Sequence, residues 1–170
     1  MKRSTFLILS FLFVARSFCQ TPTDPGVNEL QKLSADFWTW RAHDAPFTGD
    51  DVNRMERPGG LRDWSGAAIE KRRADLGKFE ARWKKIEAGG WPIPQQVDYR
   101  LIGSALARVR WELDINPRWK RDPNFYLEQT LTPVAEALIV PAPFDESRSR
   151  EILTRIKNIP SILQQATENL

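Results

Sequence analysis

His43 is the only histidine among 170 residues, and it stands beside Asp44 at the end of the aromatic run "FWTWRAHDAP" (37–46). An imidazole next to a carboxylate is the pair from which general bases and activated nucleophiles are built. Adjacent residues on a helix point about 100° apart, so Asp44 is badly placed to orient the His43 ring. No strand–turn–helix nucleophile elbow is present to supply a serine. The simpler reading puts His43 in the last turn of a helix, on or beside the Phe37–Trp40 stripe. There an imidazole meets free carbonyls and the negative end of the helix dipole.

Metal chemistry fares no better. A catalytic zinc normally takes three protein ligands, chiefly histidine with carboxylate or cysteine. This chain has one histidine, one cysteine (Cys19) and no H-E-x-x-H spacing. The acidic stretch "TGDDVNRME" (48–56) lacks the alternating oxygen ligands of an EF-hand. The glycine pairs at 59–60 and 89–90 form neither a dinucleotide fingerprint nor a phosphate loop. No catalytic, cofactor-binding or metal-ligating residue is therefore assigned to any position. The chain alone is expected to hold no metal and to catalyse nothing.

The seven tryptophans are the remaining unusual feature, all lying between residues 38 and 119. Trp40 and Trp83 fall on helix stripes and read as core. Trp38, Trp64, Trp91 and Trp119 flank helix ends or loops, where an indole either covers a junction or meets a partner. The charged runs "EKRRADLGKFEARWKK" and "SRSREILTRIK" read as solvated helix faces, with i,i+4 pairs such as Glu80 to Lys84.

The elements around these residues are all helical. Asp24-Pro25 opens a first helix with the stripe Val27, Leu30, Leu33, Phe37 and Trp40. Residues 45–64 carry no sustained period and read as a long irregular connection. Ser65 opens a second helix to Ala88, with Ile69, Leu76, Phe79, Trp83 and Ile86 inward and Gly89-Gly90 as its stop. Pro94 starts a third, with the stripe Val97, Leu101, Ala105, Val109 and Leu113, ended by Asn116-Pro117. Gly103, Ala105 and Ala107 let a neighbour approach closely. A fourth begins at Asp122-Pro123 with Phe125, Leu127, Leu131, Val134, Ala135, Leu138 and Ile139, and Pro133 should kink or break it. The last starts near Asp145 or Ser147. Its stripe Ile152, Ile156, Ile159, Leu163, Ala166 and Leu170 is interrupted only at Pro160 and continues to the final residue, which predicts a folding unit that is unfinished by itself. The pattern is all-α: antiparallel helical hairpins or a bundle of about five helices.

The first nineteen residues have another purpose. Lys2 and Arg3 precede the apolar run "FLILSFLFVA" and then "RSFC", the layout of a signal peptide cleaved after Cys19. The run is too short to span a bilayer, which takes about twenty apolar residues, so no stable membrane span remains after cleavage. Phe18 and Arg16 are wrong for lipid attachment to Cys19. Cleavage removes three of the 25 basic residues and leaves 22 against 22 acidic ones. Residues 20–170 are thus formally neutral, with no charge argument for nucleic acid, and hold no cysteine. Export without disulfides suits a periplasmic or secreted bacterial protein.

Four stretches, "FWTWRAHDAP", "AAIEKRRADLGKFEARWKKI", "QQVDYRLIGSALARVRWEL" and "RIKNIPSILQQATENL", in that order over about residues 34–170, resemble the N-terminal region of the bacterial domain-of-unknown-function 885 family. The resemblance implies a largely helical, zincin-like, peptidase-related protein whose zinc-binding His-Glu motif lies far downstream. It implies a peptide substrate and, as partner, the C-terminal catalytic part or its product. None of that motif occurs here, so no family ligand or catalytic residue is carried onto this chain. The loop 48–63 departs from the family form.

Two readings follow. The chain is either the front portion of an exported zinc-dependent peptidase-like protein, walling the substrate cleft of a catalytic part, or a stand-alone, non-enzymatic helical module that binds through its tryptophan-rich junctions.

Overall fold

Helix starts are set by local chemistry. In the computed structural model, which describes residues 24–47, 61–139 and 141–170, Asp24 accepts from the Gly26 amide at 2.7 Å and Pro25 opens α1 (Pro25–Asp44). Ser65 caps α2 (Gly66–Lys84) through the Ala68 amide. α3 runs Ile93–Arg110 and passes into a π-helical turn at Trp111–Ile115; a short 3₁₀ turn follows at Arg118–Lys120. Asp122 and Pro123 open α4 (Pro123–Leu138), and Asp145 caps α5 (Glu146–Asn169). No strand occurs among the described residues. The proposed signal peptide and most of the 48–63 loop lie outside them.

Neighbouring helices run antiparallel, and their ion pairs record it. Asp44 meets Arg72 and Glu29 meets Arg82 between α1 and α2. Arg73 reaches Asp114, beyond the end of α3, while Glu80 meets Arg110 within it. The Glu80 carboxylate thus goes across to Arg110 instead of along its own helix to Lys84. In the α4–α5 hairpin, Tyr126 lies against Asn169 while Pro133 lies against Arg155.

Two cores result. The first joins α1, α2 and α3 through Leu30, Leu33, Phe37, Leu76, Ile102, Leu106 and Val109. The second joins Trp64 and Ile69 to the hairpin through Phe125, Tyr126, Ile162 and Ala166. Gly103 faces the Trp83 ring, whose Nε1 donates to the Tyr99 carbonyl at 3.0 Å and whose indole stacks on Tyr99 at 4.7 Å.

The inward faces of the later helices differ from the expected stripes. In α3, Val97 and Leu101 are exposed, and Ile102 and Leu106 take their place. In α4, only Phe125 of the large apolar residues expected inward is buried. Tyr126, Gln129, Thr130, Pro133 and Ala137 form the buried row, while Leu127, Leu131, Leu138 and Ile139 face water. In α5, Ile162 replaces Leu163, and Ile156 is exposed. Neither Pro133 nor Pro160 ends its helix. α2 closes at Lys84, five residues before the first glycine of the expected stop.

Candidate functional site

Ile69, Arg72 and Leu76 make one buried row on α2 at steps of three and four. Ile69 belongs to the second core and Leu76 to the first, so the Arg72 guanidinium sits where the two cores meet. At this seam the packing leaves a cleft of about 180 Å³. Trp40, Arg41, Asp44 and Pro46 line it from the end of α1. Arg108, Trp111, Glu112 and Leu113 line it from α3 and the π turn, and Arg118, Trp119 and Phe125 close the far side.

Its charges are held in pairs. Arg41, 5% exposed, donates from Nη2 to both oxygens of Glu112 at 2.8 and 2.6 Å, and Arg108 Nε donates to the same carboxylate at 3.1 Å. Arg72 donates from Nε to Asp44 Oδ1 at 3.2 Å, with its guanidinium carbon 4.3 Å above the Trp64 ring. Burial pulls the Arg72 guanidinium below its ordinary value, and the Asp44 carboxylate opposes that pull. It stays charged, as a guanidinium does. On the far side Arg118 bridges Glu128 and Asp122, which hold its proton more firmly than usual.

The aromatic walls are positioned by backbone contacts. Trp64 donates its N–H to Gln165 Oε1 at 2.9 Å, and its carbonyl accepts from Asn169 Nδ2 at 2.7 Å. Its indole meets Phe125 edge-on at 4.7 Å. The Tyr126 hydroxyl donates to the Trp119 carbonyl. Where the backbone widens into the π turn, the Asn116 amide reaches the Trp111 carbonyl at 2.8 Å. The Leu113 carbonyl accepts from Trp119 Nε1 and Arg73 Nη2, each at 3.3 Å. Such π turns recur at functional sites.

Three residues that line this cleft each carry a buried donor with no protein acceptor: Trp40 Nε1, Trp64 Nε1 and Arg72 Nη1. They are three of the five such buried side-chain atoms among the described residues, the others being Gln95 Oε1 and Arg155 Nε. A buried donor left unmet costs about 1–3 kcal/mol, so the seam between the two cores carries three such local costs. The arrangement can bind. Both of its carboxylates are committed to arginines, and no group of three or more His, Cys, Asp or Glu positioned for a metal occurs among the described residues.

The structure separates His43 from Asp44. His43 does lie in the last turn of α1 but faces solvent, while Asp44 turns to Arg72. The carbonyls at that helix end are met by Arg62, buried, which donates to Ala42 at 3.0 Å and Ala45 at 3.4 Å and lies 4.6 Å over the Phe47 ring. Of the junction tryptophans, Trp64 and Trp91 are buried and Trp38 is exposed. Arg41, Arg72 and Glu112 were not among the residues singled out from sequence. Their signal was position: Arg72 falls at an inward step between Ile69 and Leu76, and Arg41 one turn after Phe37. No family model, curated protein or solved structure matches the chain.

Proposed function

We propose that this chain is the helical front portion of an exported, zincin-like, peptidase-related protein of the domain-of-unknown-function 885 family, and that it contributes a binding wall and no reacting group. One observation supports this most: three of the four stretches that carry the resemblance line one cleft, and the fourth holds one of its walls. The first supplies Trp40, Arg41 and Asp44, the second Arg72, and the third Arg108, Trp111 and Glu112. The fourth supplies Gln165 and Asn169, which grip Trp64. Export rests on the Lys2-Arg3 start, the apolar run and the small residues before Gln20. Any zinc belongs to the downstream part, and no helix among the described residues is long and apolar enough to cross a membrane.

A stand-alone binding module is the second reading, favoured because both cores and all three unmet donors come from this one chain. The DNA downstream separates the two. An in-frame continuation, or a frameshift followed by a His-Glu motif, supports the front-portion reading; a stop with no such motif beyond it supports the module. For the cleft itself, the indole N–H resonances of Trp40 and Trp64 should move together when aromatic fragments of varied charge are titrated. If no fragment of any charge moves them, the binding reading falls. Dialysed protein is expected to carry less than stoichiometric zinc and no peptidase activity, with His43→Ala indistinguishable from the parent.

A further inference from the structure

We infer that the apolar side of the α4–α5 hairpin is an interface between two copies of this chain, packed face to face with α5 antiparallel to α5. Contacts fix where that side lies. Round α4, at about 100° per residue, Phe125 and Gln129 point to Trp64 and Phe47, while Tyr126 and Pro133 point further round, to α5. Leu127, Leu131, Val134 and Leu138 come next in the same sense. Round α5, Gln165 and Asn169 point to Trp64 and Arg155 to Pro133, and then come Ile156, Leu163 and Leu170, with Leu153 beside them. The two helices are antiparallel, so their senses of turn oppose. Both rows therefore arrive on one face, away from the core and on either side of the α4–α5 contact.

Spacing matches the face to a copy of itself. The α4 row steps by four, three and four, and Leu153, Ile156, Pro160, Leu163, Thr167 and Leu170 alternate three and four, the period of a helix seam. Each series reads the same in both directions. The midpoint of the first lies between Leu131 and Val134 and that of the second between Pro160 and Leu163, each about two turns from the Tyr126–Asn169 contact. One twofold axis therefore serves both helices, setting Leu153 of one copy opposite Leu170 of the other. Seven of these side chains are 40–58% exposed. At 1.5 Å per residue the face is about 25 Å long and, across two helices, about 20 Å wide, close to the ~800 Å² of accessible surface each partner of a stable interface buries. Neither row holds a charged residue, as the centre of an interface requires. The exposed flank of the α5 row carries both signs, Lys157 and Glu168, where a lipid surface would want a basic rim. The antiparallel register brings Lys157 of one copy within about 3 Å of rise of Glu168 of the other, whereas a parallel one sets like against like.

Equilibrium sedimentation of the purified chain tests this. It should give a monomer–dimer equilibrium that stops at two, with a Kd on the order of 10 μM, and hydrophobic-dye emission per chain should fall as the dimer forms. Leu163→Glu sets a charge beside the twofold axis in both copies and should weaken the dimer at least about a hundredfold, with Leu131→Glu as a second probe on α4. Leu101→Glu, as exposed but on α3, should leave the equilibrium unchanged. Lys157→Glu and Glu168→Lys should each weaken the dimer about threefold, and the double variant should restore it. A chain still monomeric at about ten times the expected Kd overturns the inference and leaves the face to a different polypeptide. Open-ended association without a dimer plateau overturns it too, as does a dimer that Leu163→Glu and Leu131→Glu leave intact or that Leu101→Glu disrupts as strongly. A double charge variant no better than the two singles overturns the antiparallel pairing.

Discussion

Asn169 Nδ2 donates to the Trp64 carbonyl at 2.7 Å, joining the end of α5 to the entrance of α2 across 105 positions of chain. The same amide nitrogen donates to the Tyr126 hydroxyl at 2.9 Å, and one turn earlier Gln165 takes the Trp64 N–H. The helix end therefore sets where one wall of the cleft stands. Asn169→Asp would aim lone pairs at the carbonyl and put a negative charge at a helix C-terminus. It should destabilise by about 1–3 kcal/mol and by more than Asn169→Ala, read from urea midpoints at neutral pH. An Asp variant as stable as the parent would show that the contact holds nothing.

Gly103→Ala places a methyl where Trp83 already is. The added carbon would lie 2.4 Å from Trp83 Cζ2, and the ring cannot swing away without losing its bond to the Tyr99 carbonyl and its stacking on Tyr99. Alanine gains about 1 kcal/mol in helix propensity over glycine, while overpacking costs about 1–3 kcal/mol. The clash wins, so the variant should melt at a lower temperature with a blue-region tryptophan emission that differs from the parent. A higher melting temperature would mean that the α2–α3 contact is loose.

Helix starts were legible because they need only local chemistry: Asp24-Pro25, Ser65, Asp122-Pro123 and Asp145 all cap as their residue types require. The inward rows of α3, α4 and α5 were not. Apolar residues stand on two sides of these helices, and a period of 3.6 fits either. Tertiary partners choose: Trp83 fits only over Gly103, which turns Ile102 and Leu106 inward. In α4 the buried Gln129 clamps the chain at Phe47, its Oε1 accepting from the Phe47 N–H at 2.8 Å and its Nε2 donating to the Phe47 carbonyl at 3.1 Å. That contact pulls a polar face in and leaves the leucines out. The cleft was half legible, for its tryptophans drew attention while Arg72 lay in a charged run, and such runs usually face water.

Acid should loosen the contact between α2 and the end of α3. Partial burial pushes the Asp114 carboxyl up, but hydrogen bonds from Arg110 and from Arg73, with the charges behind them, outweigh it and hold the group below its ordinary value. A depressed folded value means that the stabilisation is complete above the unfolded carboxylate value of about 4 and is lost as pH falls through the folded one. The side chain is 31% exposed, so the contribution is under about 1 kcal/mol. Denaturant midpoints at pH 7 and pH 3 should differ less in Asp114→Asn than in the parent. Identical acid limbs would assign the loss to other carboxylates.

The leucine side of the hairpin is the last feature that calls for a test. Leu127, Leu131 and Leu138 recur along α4 at steps of four and seven, each about half exposed, and Leu153, Ile156, Leu163 and Leu170 follow at steps of three and seven along α5 and the residue after it. α4 thus buries Gln129 and Thr130 while showing its most apolar side to solvent. Burying a leucine or isoleucine side chain is worth roughly 1.5–3 kcal/mol, and exposed apolar side chains in this number mark an interface or an aggregation hazard where they adjoin. Purified 20–170 is therefore expected to be helical by circular dichroism yet to bind a hydrophobic dye, self-associate and unfold over a broad range. Leu131→Glu and Leu163→Glu touch only exposed positions, so each should cut dye binding and association while shifting stability by no more than about 0.5 kcal/mol. A monomer in equilibrium sedimentation that melts sharply and binds no dye would mean that these rows need no partner. The front-portion reading would then lose the support of these exposed rows, and the stand-alone binding module would be the better account.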